Sequence, residues 1–416
     1  MNILFLTENF PPETNAAATR VYERALYWIR DGHNVTVITS APNFPEGRLF
    51  DGYANRWRQV ENMDGIRVVR VKTYIAANKE VIWRTLDFVS FMIAAVIAGL
   101  FEKRPDVICS TSPQFFAAVG GWLLSVFKRR PFVFELGDLW PASIVAVGAM
   151  KRSLPLRLVE KLELFLYRRS AAVAALTHAF KRNLVGRGTD PAKIRVVRNG
   201  VDADRYGVRP RSAELADEYG LAGKFVLGYV GTHGMAHALD RVIEAANILK
   251  GEDEIRFLFA GAGAARDGLI EQAEQLGLSN VTFLPMQPKE RMPDVWSLCD
   301  VALVHLKKDP TFTEVIPSKI FEAMGMGLPV LIAAPAGEAT EIVASERAGP
   351  VVPPEDPQAL ADAVRALRDD PEGRKGFAEN SIAAAPRYSR EKQAIEMIEV
   401  FTAAIDGKPA APANSP

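Results

Sequence analysis

The stretch Thr311–Pro329, TFTEVIPSKIFEAMGMGLP, places two carboxylates, Glu314 and Glu322, on either side of a seven-residue spacer that also holds a Pro-Ser step and a lysine. Pro317-Ser318 followed by Lys-Ile-Phe-Glu-Ala-Met predicts a loop that Ser318 caps as it opens a helix. The first amides of a helix lack intrahelical partners and carry partial positive charge, so this start, with Lys319 beside it, suits a diphosphate. Carboxylates repel phosphate but accept hydrogen bonds from hydroxyls, so Glu314 could hold a hexose and Glu322 a ribose. The plainer reading is an ordinary capped helix with Glu322 on its solvent face.

Further groups could complete such a site. In Gly228–Gly234, GYVGTHG, a strand leads into a turn where Gly231, Thr232 and Gly234 let backbone amides approach phosphate closely. His233 and His237 follow, and an imidazole would bind phosphate more weakly and with pH dependence. Gly261-Ala262-Gly263 is a strand-to-helix turn, but Arg266 stands where a full G-x-G-x-x-G needs its third glycine, which disfavours a nicotinamide enzyme. Asp202-Ala203-Asp204 carries the D-x-D spelling of a metal-binding motif inside a polar connector, where aspartate caps turns, and is rejected as a metal site. In ELGDLWP, Glu135 and Asp138 follow a strand and are expected at its carboxyl end. Asp138 could orient or deprotonate an acceptor hydroxyl or simply cap the turn, and Trp140 could pack on a sugar face.

The elements that must position these groups alternate throughout. Candidate strands Asn2–Thr7, Asn34–Thr39, Arg67–Val71, Val107–Ser110, Phe132–Glu135 and Ala171–Leu176 are interleaved with helical patterns. Thr19–Asp31, for one, sets Val21, Ala25, Trp28 and Ile29 on a single face. After a turn-rich connector near residue 200, a second series begins: Phe225–Val230, Arg256–Ala260, Val281–Leu284, Val301–His305 and Leu328–Ala333. The expected architecture is α/β, two Rossmann-like doubly wound domains facing across a cleft. Residues 1–200 form the first, and a helix at 390–406 crosses back to it. Residues 205–385 form the second, and 407–416, GKPAAPANSP, is expected to be disordered.

Composition narrows the class. The chain has 416 residues, 48% of them hydrophobic and 24% charged, enough for two domains. Cys109 and Cys299 stand far apart, which supports neither a disulfide scaffold nor a cysteine metal site. MNILFLTENF enters a strand pattern directly, without the pattern of a signal peptide, so export is not expected. The net charge of zero divides unevenly. Residues 1–200 hold 28 Lys+Arg against 17 Asp+Glu, and residues 201–416 hold 22 against 33. The basic half also holds Phe88–Phe101, FVSFMIAAVIAGLF, which at about 1.5 Å per residue is too short to cross a bilayer. Near Trp83, Arg84, Lys103 and Arg104 it could be a core helix or dip into one leaflet. A second apolar stretch, Phe115–Phe127, ends in Lys128-Arg129-Arg130.

Together, the E-x7-E pattern, GTHG after a strand, RNGVD at the connector and ELGDLWP resemble glycosyltransferase family 4 over nearly the whole chain, Met1 to about Ile405. The resemblance implies the GT-B fold and a retaining hexosyltransferase, with donor on the C-terminal domain and acceptor on the N-terminal one. No metal or other cofactor is expected. Carried over residue by residue, it makes Glu314, Ser318, Lys319, Glu322, Gly231, Thr232 and His237 donor-binding, with Asp138 and Glu314 as catalytic candidates. Family members usually follow the GTHG strand with an Arg or Lys pair, which His233 and His237 replace here, leaving Lys319 as the preferred cation. Paired glycines are usual at the turn matching Glu8–Asn15. Thr14, Asn15 and Ala16–Ala18 stand there instead, and Asn15 joins Trp140 as an acceptor-binding candidate.

PSKIFEAM and the apolar, basic first half are similar to members that add N-acetylated amino sugars such as L-fucosamine during assembly of bacterial surface polysaccharide. The expected partners are a nucleotide sugar, UDP-linked, and a polyprenyl-pyrophosphate saccharide at the cytoplasmic face of the membrane, with no nucleic acid. A nucleotide-sugar epimerase of the same architecture and a non-catalytic nucleotide-sugar-binding subunit are the alternatives.

Overall fold

The computed structural model describes residues 1–410 except 14, 45, 77–80, 113 and 140–153. They form two compact units, Met1–Asn199 with the chain from Arg390 onward, and Gly200–Ser389.

The first unit is built on strands β1 (Asn2–Leu6), β2 (Asn34–Ser40), β3 (Arg58–Met63), β4 (Ile66–Val71), β5 (Val107–Thr111), β6 (Phe132–Leu136), β7 (Ala172–Ala175) and β8 (Ile194–Val196). They make one sheet in the order β3-β4-β2-β1-β5-β6-β7-β8. All neighbours are parallel except β3, which runs antiparallel to β4. Parallel strands need crossovers, and α1 (Ala16–Arg30), α2 (Val81–Phe101), α3 (Phe115–Lys128), α4 (Leu154–Arg169) and α5 (His178–Gly186) supply them. The order reverses between β1 and β5, so the carboxyl ends of these two strands flank the switch point where open sheets hold ligands.

Trp28 of α1 is fully buried, donates its indole N–H to the Ala394 carbonyl at 3.0 Å, and meets Phe401 edge-to-face. The helix Arg390–Asp406 is thereby fixed onto the first unit. The described chain just beyond it is packed: Ala410 is buried and its amide donates to Ala192 at 2.9 Å. A disordered tail from 407 is therefore corrected for 407–410.

Helix α2 is also longer than its apolar stretch. It begins at Val81 because Trp83, Arg84 and Asp87 join its first turns, and its 21 residues span about 31 Å. The inference that it is too short to cross a bilayer therefore fails on length. Phe91, Ala94, Ala95 and Ala98 are buried within the unit, while Leu86, Ile93, Ile97 and Leu100 form an exposed stripe.

The second unit has strands β9 (Phe225–Val230), β10 (Ile255–Ala260), β11 (Val281–Leu284), β12 (Val301–His305), β13 (Val330–Ala333) and β14 (Val351–Val352), all parallel, in the order β11-β10-β9-β12-β13-β14. Its helices are α6 (Ala213–Glu218), α7 (Leu239–Ile248), α8 (Arg266–Gln275), α9 (Met292–Ser297), α10 (Lys319–Gly325), α11 (Glu338–Ser345), α12 (Pro357–Asp369) and α13 (Pro371–Ala384). The switch point lies between β9 and β12, and one apolar core fills each side of the sheet. Two doubly wound parallel sheets are the α/β architecture expected.

Candidate functional site

In the second unit, Gly231, Thr232 and His237 follow the end of β9, His237 meets His305 at the end of β12, and Lys319 lies against Tyr229 beside them. Tyr229, the penultimate residue of β9, is buried and donates its hydroxyl to the Thr232 carbonyl at 2.8 Å, which fixes the ring under the turn. The Lys319 ammonium sits 3.6 Å from that ring's centroid, enclosed and without a hydrogen-bond partner. Burial lowers its pKa to about 7, against the pull of Glu322. Gly231 is required here. Its φ is +138°, and a Cβ on it would lie 3.0 Å from the Lys319 Nζ. Gly261 is stricter, because its Cβ would fall 2.1 Å from the Gly231 carbonyl oxygen. The loops after β9 and β10 thus stack backbone to backbone, with Gly231 donating to Ala260 and His233 to Ala262, both at 2.9 Å.

The histidines are neutral. Burial lowers both His233 and His237 to about 4. The Nδ1 of His237 lies 3.2 Å from the His305 carbonyl, and that of His305 lies 2.7 Å from the His237 carbonyl. A carbonyl only accepts, so each Nδ1 carries the proton and the Nε2 of His237 is bare. That leaves His237 no positive charge to offer a phosphate at neutral pH. The ring nitrogens of His233 are enclosed without partners.

Ser318 opens α10 but makes no capping hydrogen bond with its side chain, because its own backbone is already helical. The expected cap is corrected, and α10 has only seven residues, so its dipole is short. Glu314 follows a short 3-10 turn and is half-buried. Glu322, one turn into α10, accepts the indole N–H of Trp296 on Oε2 at 3.2 Å. Sequence reasoning did not find Trp296, which sits in an apolar helical run with the pattern of a core residue. The D-x-D aspartates form a turn, with Asp202 Oδ1 accepting from the Asp204 amide at 3.2 Å. Among the described residues no cluster of His, Cys, Asp and Glu could hold a metal ion.

In the first unit, Glu135 is not open to a ligand. Arg24 grips it bidentately at 2.9 and 2.7 Å, and Arg20 approaches at 3.0 Å. Burial would raise its pKa, but Arg24 and Arg20 reverse this and hold it at about 2. Asp138 lies just beyond β6, where the Ser112 hydroxyl accepts from its amide at 3.2 Å and donates to its carbonyl at 3.3 Å. Asn15 caps α1 through its side-chain oxygen to Ala18, and its Nδ2 is enclosed without a partner. Trp140 lies outside the described residues.

A buried acidic group at the carboxyl end of β1 was also missed. Glu13 accepts from the Asn43 and Phe44 amides and from Asn9. Glu8 and Asp87 share Arg84 at 3.9 and 2.8 Å. Burial first, then mutual repulsion, pushes Glu8 well above the usual carboxylate range, and burial raises Asp87 to about 6 despite Arg84. No signal in the sequence joins Glu8 to Asp87 across 79 positions.

Comparison with known proteins decides the class. Residues 213–384 match the family described as Glycosyl transferases group 1, and residues 15–200 match the Glycosyl transferase 4-like domain, together most of the chain. The chain is a GT-B glycosyltransferase. It is 25% identical over 359 residues to an Escherichia coli K12 protein named as a colanic acid biosynthesis glycosyl transferase, WcaI, covering 81% of this chain and 84% of that one. It is 34% identical over 228 residues to the D-inositol 3-phosphate glycosyltransferase of Nocardia farcinica, covering 52% of this chain and about half (49%) of that one. Among solved structures it is similar to Anabaena Alr3699/HepE in complex with UDP, with a TM-score of 0.71 and 21% identity, covering 97% of this chain and 100% of that one. That likeness is one of fold.

Proposed function

We propose that this glycosyltransferase moves a sugar, with retention, from a UDP-linked donor held by the second unit to a lipid-linked saccharide held by the first, without a metal ion. The observation that carries this reading is the enclosed, unpartnered Lys319 ammonium beside Gly231. The chain keeps a cation ready for the diphosphate where its relatives by resemblance use a basic pair. Glu322, steadied by Trp296, takes the ribose, and Glu314 with Ser318 faces the hexose. Thr232 offers its backbone to the diphosphate, while His237 shapes that wall as a neutral ring. Asp138 receives or orients the acceptor hydroxyl, with Asn15 and Trp140 on the acceptor side.

The similarity to WcaI favours surface-polysaccharide assembly, and an N-acetylated amino sugar rests on the PSKIFEAM resemblance. The exposed apolar stripe of α2 supports peripheral contact with the cytoplasmic face of the membrane, where a lipid-linked acceptor would be met.

The test incubates the purified, detergent-supplemented protein with a panel of UDP- and GDP-sugars and polyprenyl-pyrophosphate saccharides, and measures acceptor-dependent release of nucleoside diphosphate. Release that needs one donor and the lipid acceptor is expected, with weakened donor binding in Glu322→Ala. Epimerised donor without acceptor, or tight donor binding with no turnover across the panel, would sink the proposal.

A further inference from the structure

Three helix ends meet at the edge of the first sheet where its strands begin. Helix α2 ends at Phe101 before β5, α3 at Lys128 before β6, and α4 at Arg169 before β7. Lys128 ties two of them together, its ammonium donating to the carbonyls of Glu102 at 2.7 Å and Leu100 at 3.3 Å. Arg129 turns the chain in the left-handed region (φ 52°), which closes α3 and brings Arg130 round toward α4.

Between α3 and α4 lies an open pocket of about 420 Å³ lined by Trp122, Phe165, Arg129, Arg130 and Arg169, with Ser125 and Val126. Trp122 and Phe165 meet edge-to-face at 5.1 Å, and the Arg169 guanidinium lies 5.6 Å from the Phe165 ring. Among the described residues, none of the three arginines has a carboxylate within 4.0 Å, and Arg130 Nε is enclosed without a hydrogen-bond partner. Uncompensated guanidinium groups around aromatic walls call for an anion with several oxygens. Beside the pocket, large apolar side chains face outward: Val126 is 55%, Phe127 62% and Phe101 77% exposed.

We propose that this pocket binds the phosphate of an anionic phospholipid headgroup, with Phe101 and Phe127 entering the acyl boundary beside it. A free phosphate would use the arginines but leave the phenylalanines in water, whereas a lipid uses both. The pyrophosphate of the acceptor is the wrong occupant. The pocket lies at the amino ends of β6 and β7, and the five-residue length of β6, about 17 Å, separates it from the carboxyl end that carries Asp138. The inference deepens the proposed membrane contact of α2 and rests on it, but not on sugar transfer.

The test is co-sedimentation of the full chain with vesicles of phosphatidylcholine alone or mixed with phosphatidylglycerol. Wild type should sediment with the mixed vesicles and not with the neutral ones, and millimolar inorganic phosphate should not release it. The triple variant Arg129→Ser/Arg130→Ser/Arg169→Ser should bind roughly 100-fold more weakly, and Arg169→Ser alone, exposed at a helix end and harmless to folding, about fivefold. Arg157→Ser/Lys161→Ser, elsewhere on α4, should change binding by less than the single pocket variant. Equal binding to both vesicle types or equal loss in the α4 control overturns the pocket while leaving the α2 contact standing, and release by phosphate overturns the lipid as its occupant in favour of free phosphate. Failure to bind any vesicle removes both.

Discussion

The Lys319 ammonium rests 3.6 Å from the centroid of the Tyr229 ring and has no hydrogen-bond partner. An aromatic face offsets part of the cost of burying the charge, but not enough to keep the amine fully protonated, hence its pKa of about 7. A diphosphate arriving there must raise that pKa, so binding takes up a proton. Below pH 6 the amine is already charged and uptake should vanish. Above pH 7, donor affinity should fall by up to about tenfold per pH unit, with uptake approaching about one proton. Titration calorimetry with a UDP-sugar in buffers of different ionisation enthalpy reads this directly, and the histidines, at about 4, do not contribute. Uptake of zero at pH 8 would remove Lys319 from the phosphate site. Lys319→Ala should weaken the donor by about 10- to 100-fold.

The indole of Trp296 donates to Glu322 Oε2 at 3.2 Å, which orients the carboxylate proposed to hold the ribose. Trp296→Phe keeps the packing of a fully buried ring and deletes the donor. The expected outcome is a donor KM raised by about tenfold with kcat little changed. In a Glu322→Ala background, which removes the hydrogen-bond acceptor, the same substitution should have little further effect. Additive losses would show that Trp296 acts on the fold rather than through Glu322.

The legibility of these features follows from their range along the chain. Phe225–Val230 and residues 301–304 are continuous apolar runs because parallel strands are covered on both faces, and their short length between polar, turn-forming flanks places them. Strand β3, RQVENM, could not be found this way. It is an antiparallel edge strand with a polar, half-exposed alternation that resembles loop. Ser318 follows the preference for caps yet does not cap, because propensity yields to the helical backbone already imposed at that position. The glycines of GTHG and GAG were visible as turns, while the approach of Gly261 to Gly231 depends on a register between β9 and β10 that no local pattern contains. The pairing of Glu135 with Arg20 and Arg24 and the sharing of Arg84 by Glu8 and Asp87 are long-range for the same reason.

Glu135 supports the first unit rather than serving a substrate. Replacing it with Gln leaves Arg24, fully buried, and Arg20, nearly so, without their anion, and should destabilise the unit by about 3–5 kcal/mol. Thermal melting of Glu135→Gln checks this, and a melting temperature within a degree or so of wild type would show that the fold does not need its charge. Its pKa, held at about 2, lies below the unfolded value. Its stabilisation is therefore complete above the unfolded value near 4.5 and disappears as pH falls toward 2.

Asp87 makes the opposite prediction in a different window. It is fully buried, with one oxygen taking the Arg84 guanidinium at 2.8 Å and the other enclosed without a partner, and its pKa of about 6 lies above the unfolded 3.8. The folded state therefore binds the extra proton between those values. The first unit should gain stability as pH falls through 6 and lose it as pH rises, by about 3 kcal/mol over the full range. Glu8, pushed up by burial and by Asp87, steepens the slope, whereas the Glu135 contribution changes only below about 4.5. Asp87→Asn keeps an oxygen for Arg84 but cannot ionise. Calorimetric melting of the variant should exceed wild type by about half of that difference at pH 5 and by nearly all of it at pH 8, with a flatter pH dependence between. A variant that melts below wild type at both pH values would mean that the charge of Asp87, not its proton, is what the folded unit requires, and that Arg84 keeps it ionised.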